Sequence, residues 1–348
     1  MATNQQTHSD RGRLRVTGFE SEAASDRQDL SSWEPKLQSR EARSRAYYAW
    51  QRFKSNRLAL FGAGIIAVLT LVTVFARPWG LPGGIPVIGG TQVQPISLAP
   101  FPPSSTDILN GHAAPNTQHL FGTDQLGRDI FSRTIYGGRW SLSIGFIAVS
   151  VALIIGIPLG AIAGYYGGYV DEFIMRIVDM LYAFPFIVLA IAVITIAGQG
   201  YWELVFALVV VGWLPYARLI RGEILSVKEN EYVTAAKALG ATDRSIITRH
   251  MLPNAMAPVI VQATLSVGSV VLIAAALSFL GLGLPPGTAE WGAMLQAEQS
   301  AISTGVWWSS VAPGSALFLF VLAINLVGDG IQDAFDPQGD TEGSGGLR

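Results

Sequence analysis

Residues 58 to 76 form a run of nineteen without a single charge, and comparable uncharged runs recur at 141 to 165, 180 to 197, 204 to 217, 257 to 284 and 307 to 327. Inside a bilayer the backbone N–H and C=O groups find no water, so such runs must close their hydrogen bonds within helices. A hydrocarbon core of about 30 Å takes about 20 residues at about 1.5 Å each. The expectation is an all-α membrane protein of six transmembrane helices, at about 58–76, 141–165, 177–198, 203–221, 257–284 and 307–327, within a domain of residues 58–337. The fourth run is short and crosses only if Trp202 and Arg218 lie at the two interfaces. Pro158 and Pro185 fall inside expected spans, where a kink is tolerated if neighbours satisfy the freed carbonyl. Charged residues make up 14% of the chain, well below the roughly 25% of soluble domains.

The charges that remain are unevenly placed. Residues 1–57 are polar; the first thirty or so bury too little apolar surface to offset chain entropy and read as a disordered tail. They contain no apolar core of a cleavable signal, so the first span must direct insertion. Tyr47, Tyr48, Trp50 and Phe53 then alternate with Arg45, Arg52, Lys54 and Arg57, a mixture suited to a helix lying at the lipid interface. The rival reading, a nucleic-acid patch, is disfavoured by its position directly before a span and by a net charge of −2. With six spans both ends share a side. That side holds eleven Lys and Arg in residues 1–57, six between 218 and 249, and Arg176 and Arg348; the other holds Arg77, Arg128, Arg133 and Arg139. The positive-inside rule therefore predicts cytoplasmic termini, a cytoplasmic loop at 222–255 and an outer loop at 77–139. Pro and Gly crowd 78–118, predicting an extended loop, and the Gly-rich residues 338–348 read as a second disordered tail.

Several chemistries are excluded. There is no Cys, and the histidines at 8, 112, 119 and 250 are too scattered for a metal cluster, so neither metal nor catalytic residues are assigned. No phosphate-cradling Gly-rich loop, nucleophile turn or metalloprotease helix occurs, so this chain is not expected to bind or hydrolyse ATP itself. A membrane enzyme would need a polar catalytic cluster that the sequence lacks. An ATP-independent secondary carrier or channel is the alternative, but no pair of membrane carboxylates suited to proton relay supports it. Arg176 and Asp179, three apart, are expected to pair at the cytoplasmic end of the third span.

One polar island, residues 231–253, interrupts the apolar second half. Residues 233–239 favour helix, Gly240 suits a left-handed C-terminal position, Thr242 or Asp243 can cap a second short helix, and Pro253 is expected to end it. The small face of Ala235, Ala236 and Ala238 would let the island lie close against another surface; an ordinary amphipathic loop on the membrane is the other reading.

These residues carry a resemblance. Thr234, Ala235 and Ala236, then Gly240, then His250-Met-Leu-Pro253 resemble the cytoplasmic loop motif of ABC importer permeases, which has Glu and Ile where this chain has Thr234 and His250. Phe121-Gly-Thr-Asp-Gln-Leu-Gly-Arg-Asp129, Met175-Arg-Ile-Val-Asp-Met-Leu-Tyr-Ala-Phe-Pro185, Ser278-Phe-Leu-Gly-Leu-Gly-Leu-Pro-Pro286 and Gly328-Asp-Gly-Ile-Gln-Asp-Ala-Phe-Asp-Pro337 are similar to the second permease of dipeptide, oligopeptide and nickel importers. The resemblance covers about 45–337 and implies a six-span permease in a prokaryotic inner membrane. It implies as partners a second homologous permease, an extracytoplasmic substrate-binding protein and two ATPase subunits that carry ATP and Mg. Tyr232, Ala235, Ala236, Gly240, Arg244, Arg249 and Pro253 would form the helix that docks on the ATPase. Gly122, Asp124, Arg128 and Asp129 would meet the binding protein or, preferably, cap and brace the second span. Gly281, Gly283 and Pro285 would end the fifth helix ahead of an outer re-entrant loop carrying Trp291. Short peptides are the default cargo, with nickel complexes and glycosides open.

Overall fold

The computed structural model describes residues 45–76, 85–86, 92–93 and 97–335; both expected disordered tails lie outside the described residues. From Ala49 onward the described residues belong to one compact unit. Apart from a two-residue strand pair, Ile85–Pro86 with Gln92–Val93, the described secondary structure is helical. In order it comprises α1 (Arg45–Ser55), α2 (Arg57–Phe75), α3 (Ile130–Tyr166), α4 (Gly168–Tyr182), α5 (Phe186–Ala197), α6 (Tyr201–Gly212), α7 (Leu214–Lys228), α8 (Glu231–Ala238), α9 (Asp243–Phe279), α10 (Trp291–Ala297) and α11 (Trp308–Phe335).

Among the described residues five helical stretches are long and apolar enough to cross a membrane, α6 and α7 counting as one, and the α4–α5 pair, bent by 89°, makes a sixth if it crosses. Packing shows that it does. Along α3 and α6–α7 the contacts advance in the same direction. The Tyr201 hydroxyl donates to Ser143 Oγ at 2.9 Å, Gly156 lies against the Trp213 carbonyl, Gly160 against that of Ala217 and Gly164 against that of Arg221. Two helices that run parallel and follow one another in sequence need a return crossing between them. The turn after α5 agrees, because Gln199 Nε2 donates to the Gly281 carbonyl at 2.6 Å, beyond the far end of α9. Pro185, expected inside a span, instead precedes α5 and forms the bend, because its ring cannot continue the helix of α4.

Charge-based boundaries fall short at several ends. The 37 residues of α3 measure about 55 Å, and its first turns, assigned above to the outer loop, are helical because Arg133 is bonded within the protein. The α6–α7 span extends to Lys228, past Arg218 and Arg221, because Asp179 and Asp171 on α4 pair with those arginines. The loop expected from 222 to 255 therefore shrinks, and α9 begins at Asp243. α9 ends at Phe279 rather than at 284, and α11 continues past 327 to Phe335.

Asn56 ties the remaining elements together. Its Oδ1 accepts from the Leu58 and Ala59 amides, capping α2, while its Nδ2 donates to Asp333 on α11 at 2.9 Å. α2 and α11 are thus antiparallel, with Gly62 against the Ala323 carbonyl. The loop after α9 returns into the bundle as α10, whose Trp291 is buried and donates from Nε1 to the Thr134 carbonyl at 2.8 Å.

Candidate functional site

At the end of the bundle where α3 stops, the chain between α7 and α9 folds into two helical pieces joined by a turn. Val233 and Ala236 of α8 and Ile246 and Met251 of α9 are buried in one apolar cluster with Tyr165, Tyr216, Ile220 and Ile224. The other face of α8 presents Tyr232, Thr234, Ala235, Lys237 and Ala238. α8 closes with a Schellman arrangement: the Gly240 amide donates to the Lys237 carbonyl at 3.0 Å and the Ala241 amide to that of Ala236 at 3.1 Å. Gly240 has φ of +80°, which a Cβ would strain, yet no atom stands within 4 Å of where that Cβ would be. Leu239, at the tip, is 88% exposed. Thr242 caps α9 by accepting from the Ser245 amide, and Arg244 and Arg249 are exposed.

The structure divides the small-residue set, since Ala235 faces outward and Ala236 packs on the chain's own core. It also corrects the role expected of Pro253. Residues Ile246–Met251 form a π-helical turn, and Leu252 and Pro253 open the α-helix that follows. A proline in a first α-turn needs no N–H donor, so the wider turn before it lets the helix continue.

At the opposite end, Asp124, Arg128, Asp129 and Gly122 are all buried. Asp124 accepts from the amides of Leu126 and Arg128 and, at 2.6 Å, from Arg128 Nε, with Arg133 Nε at 3.5 Å. Asp129 caps α3 by accepting from the Ser132 amide at 2.7 Å, and its other oxygen meets His119 Nδ1 at 2.9 Å. Gly122 closes a turn, donating to the His119 carbonyl. Glu298 adds a further buried carboxylate, with His112 Nε2 at 3.0 Å and the Gln125 amide at 3.1 Å. Asp124, Arg128 and Asp129 spend their hydrogen bonds within the protein; among the described residues of this loop, Ile108 and Leu109 are the most exposed large apolar side chains.

Comparison with known proteins decides what this frame belongs to. Residues 156–338 match the family of binding-protein-dependent transport system inner membrane components, and residues 44–115 match the N-terminal transmembrane domain of oligopeptide transport permease C. The chain is 42% identical over 290 residues to the dipeptide transport system permease protein DppC of Alkalihalophilus pseudofirmus, covering 83% of this chain and 89% of that one. The chain belongs to this permease family. It is 39% identical to the glutathione transport system permease protein GsiD of Escherichia coli O157:H7, with 83% and 89% covered. A solved structure of the MetNI methionine ABC transporter superposes with a TM-score of 0.47 at 21% identity, over 57% of this chain and 93% of that one.

In the permease, Arg176 and Asp179 do not pair as expected. Arg176 Nη2 reaches Glu172 at 3.5 Å, one helical turn back, while Asp179 Oδ1 accepts from Arg218 Nη2 on α7 at 2.7 Å. The side chains satisfying α4 come from a helix that local spacing cannot reveal. Local sequence also gives no sign that Tyr165 meets Lys228 and Asp243, the latter expected only as an alternative cap. The Tyr165 hydroxyl donates to Asp243 Oδ1 at 2.6 Å, and Lys228 Nζ donates to the Tyr165 carbonyl at 2.6 Å. They border an open cavity of about 440 Å³ with Tyr166, Lys237, Ala241 and Ile246. No sequence motif marks them, because 78 residues separate Tyr165 from Asp243.

Proposed function

We propose that the permease carries short peptides inward as half of a translocation pathway, and that α8 with the Gly240 turn is where it engages the ATPase. The observation that carries the reading is the exposed tip from Tyr232 to Arg244, rooted through Val233, Ala236, Ile246 and Met251 in the core that holds α3, α7 and α9. A helix rooted this way moves only with the bundle, so a push on its exposed face becomes a rigid-body movement of the membrane helices. The motor is a pair of separate ATPase subunits holding ATP and Mg²⁺. Arg244 and Arg249, both exposed, offer charge to acidic residues on that partner. The other half of the pathway is a second, homologous permease, and an extracytoplasmic binding protein delivers cargo at the end that carries Leu109. The excess of Lys and Arg on the α8 side supports placing that side, with both termini, in the cytoplasm. Peptide cargo rests on the dipeptide and glutathione permeases to which the chain is similar.

Gly240→Leu tests the coupling role. The side chain meets open space, and its left-handed backbone costs about 1–2 kcal/mol, too little to unfold the bundle. The variant is expected to assemble in the membrane with ATP hydrolysis continuing and uptake lost. Unchanged uptake would remove Gly240 from the coupling path.

A further inference from the structure

We propose that Tyr165 is a positioning residue of the transport cycle: it locks the segment around Gly240 to the end of α3 and passes that segment's movement to the helix. The proposal rests on the coupling role argued for α8.

Tyr165 is the penultimate residue of α3, so its carbonyl is among the last four that the helix itself leaves without a partner. Lys228, the last residue of α7, fills that vacancy and brings a cation to the negative end of the helix dipole. The phenol of the same residue reaches the other way. Its hydroxyl donates to the carboxylate of Asp243, the first residue of α9, in a charge-assisted bond of 2.6 Å. Lys237, on the last turn of α8, places its ammonium 5.2 Å from the centre of the Tyr165 ring, and that of Lys228 lies 5.7 Å away. One residue, through its carbonyl, ring and hydroxyl, therefore holds the end of α7, the end of α8 and the start of α9, the elements that flank the Gly240 turn.

The apolar cluster beneath could not do this alone. Burial of Val233, Ala236, Ile246 and Met251 keeps the segment on the bundle, but apolar attraction has no direction and tolerates sliding. Hydrogen bonds fix register. The Tyr165 ring belongs to the cluster and its hydroxyl to Asp243, so movement of the segment along the end of α3 is resisted where the two kinds of contact meet. Phenylalanine at 165 would keep the ring, its burial and the two cations, and remove only the directional bond.

The experiment uses the whole transporter in proteoliposomes and counts molecules of a labelled dipeptide, one that the wild type carries, per ATP hydrolysed. Tyr165→Phe is expected to lower that ratio roughly ten-fold, the scale of one hydrogen bond to a charged group, while ATP hydrolysis continues at its wild-type rate. Asp243→Ala should do the same, and Asp243→Asn, which retains an acceptor oxygen, should restore most of the ratio. Because both residues serve one bond, Tyr165→Phe with Asp243→Ala should fall no further than either alone. A wild-type ratio in Tyr165→Phe, or a double variant in which the two losses multiply, overturns the proposal. Should Tyr165→Phe fail to assemble with its partner subunits, Asp243→Ala and Asp243→Asn, at an exposed carboxylate, decide it instead. Gly240→Leu, run in parallel, separates the two levels: if it uncouples and Tyr165→Phe does not, the lock alone is wrong. If neither uncouples, the coupling role of α8 goes too.

Discussion

Asp124 has the most to lose from a single substitution. Its carboxylate faces two buried guanidinium groups, Arg128 and Arg133, and removing it strands their charge away from water. Breaking a buried pair from one side costs about 3–5 kcal/mol. Asp124→Asn keeps one acceptor for the amides of Leu126 and Arg128 but turns an N–H₂ group toward Arg128 Nε, so it should be nearly as damaging as Asp124→Ala. Thermal unfolding of the purified permease in detergent is the check, and an unchanged midpoint would mean that water reaches the pair. Glu290 makes a second case, opposite in sign. Burial pushes its carboxyl above the ordinary 4.5, against the pull of donors from Gly292, Ala293 and Ser141. A raised native pKa means that the folded protein holds the proton more tightly than the unfolded chain. Stability from this group is complete below about 4.5 and declines as pH rises through the elevated value. Wild type should therefore lose stability relative to Glu290→Gln as pH climbs from 4.5, and a pH-independent difference between the two would refute this. At this scale the sequence is readable only where partners are close in the chain. Asp129, three residues before the amide it caps, was within reach, whereas Tyr165 with Asp243 and Asp179 with Arg218 were not.

Between helices, the decisive contact is α3 on α7. Gly160 brings α3 so close that a Cβ there would collide with the Ala217 carbonyl, and Gly156 and Gly164 repeat the approach one turn to either side. Small residues at this spacing let two backbones meet without side chains between them, the arrangement favoured where lipid gives helices no hydrophobic reason to associate. Gly160→Leu must push α7 away and break the parallel packing. The expected cost is at the upper end of the about 1–3 kcal/mol typical of overpacking. Comparing its yield and melting with those of Gly240→Leu, where the side chain has room, tests whether close approach rather than glycine itself is what matters; equal behaviour would contradict it. The spans were legible because absence of charge is a property of the run itself. Their ends were not, because a charge ends a span only if it must reach water, and Arg133, Arg218 and Arg221 meet carbonyls or carboxylates of other segments instead. Pro253 misled for a related reason: the π turn that accommodates it arises from how Ile246 and Met251 both reach the core.

Across the whole molecule, the parity of crossings follows from packing rather than from hydropathy. A 12-residue α5 would measure about 18 Å, too short alone, and its 89° bend from α4 fits a re-entrant loop as well as a broken span. Parallel packing of α3 with α6–α7 removes that choice, because a re-entrant loop would return the chain to its own side and force the two helices antiparallel. Six crossings then place Asn56, Asp333 and the Gly240 turn at one face, and Leu109, Gln199 and Gly281 at the other. The protein contains no cysteine, so single cysteines report their side without background. Leu109→Cys and Gln199→Cys, both at exposed positions, should react with a membrane-impermeant maleimide in intact spheroplasts, and Leu239→Cys only after lysis. Position 199 is the informative one. If it labels only after lysis while 109 labels before, α4–α5 does not cross, and the parallel register of α3 with α7 would have to be wrong as well.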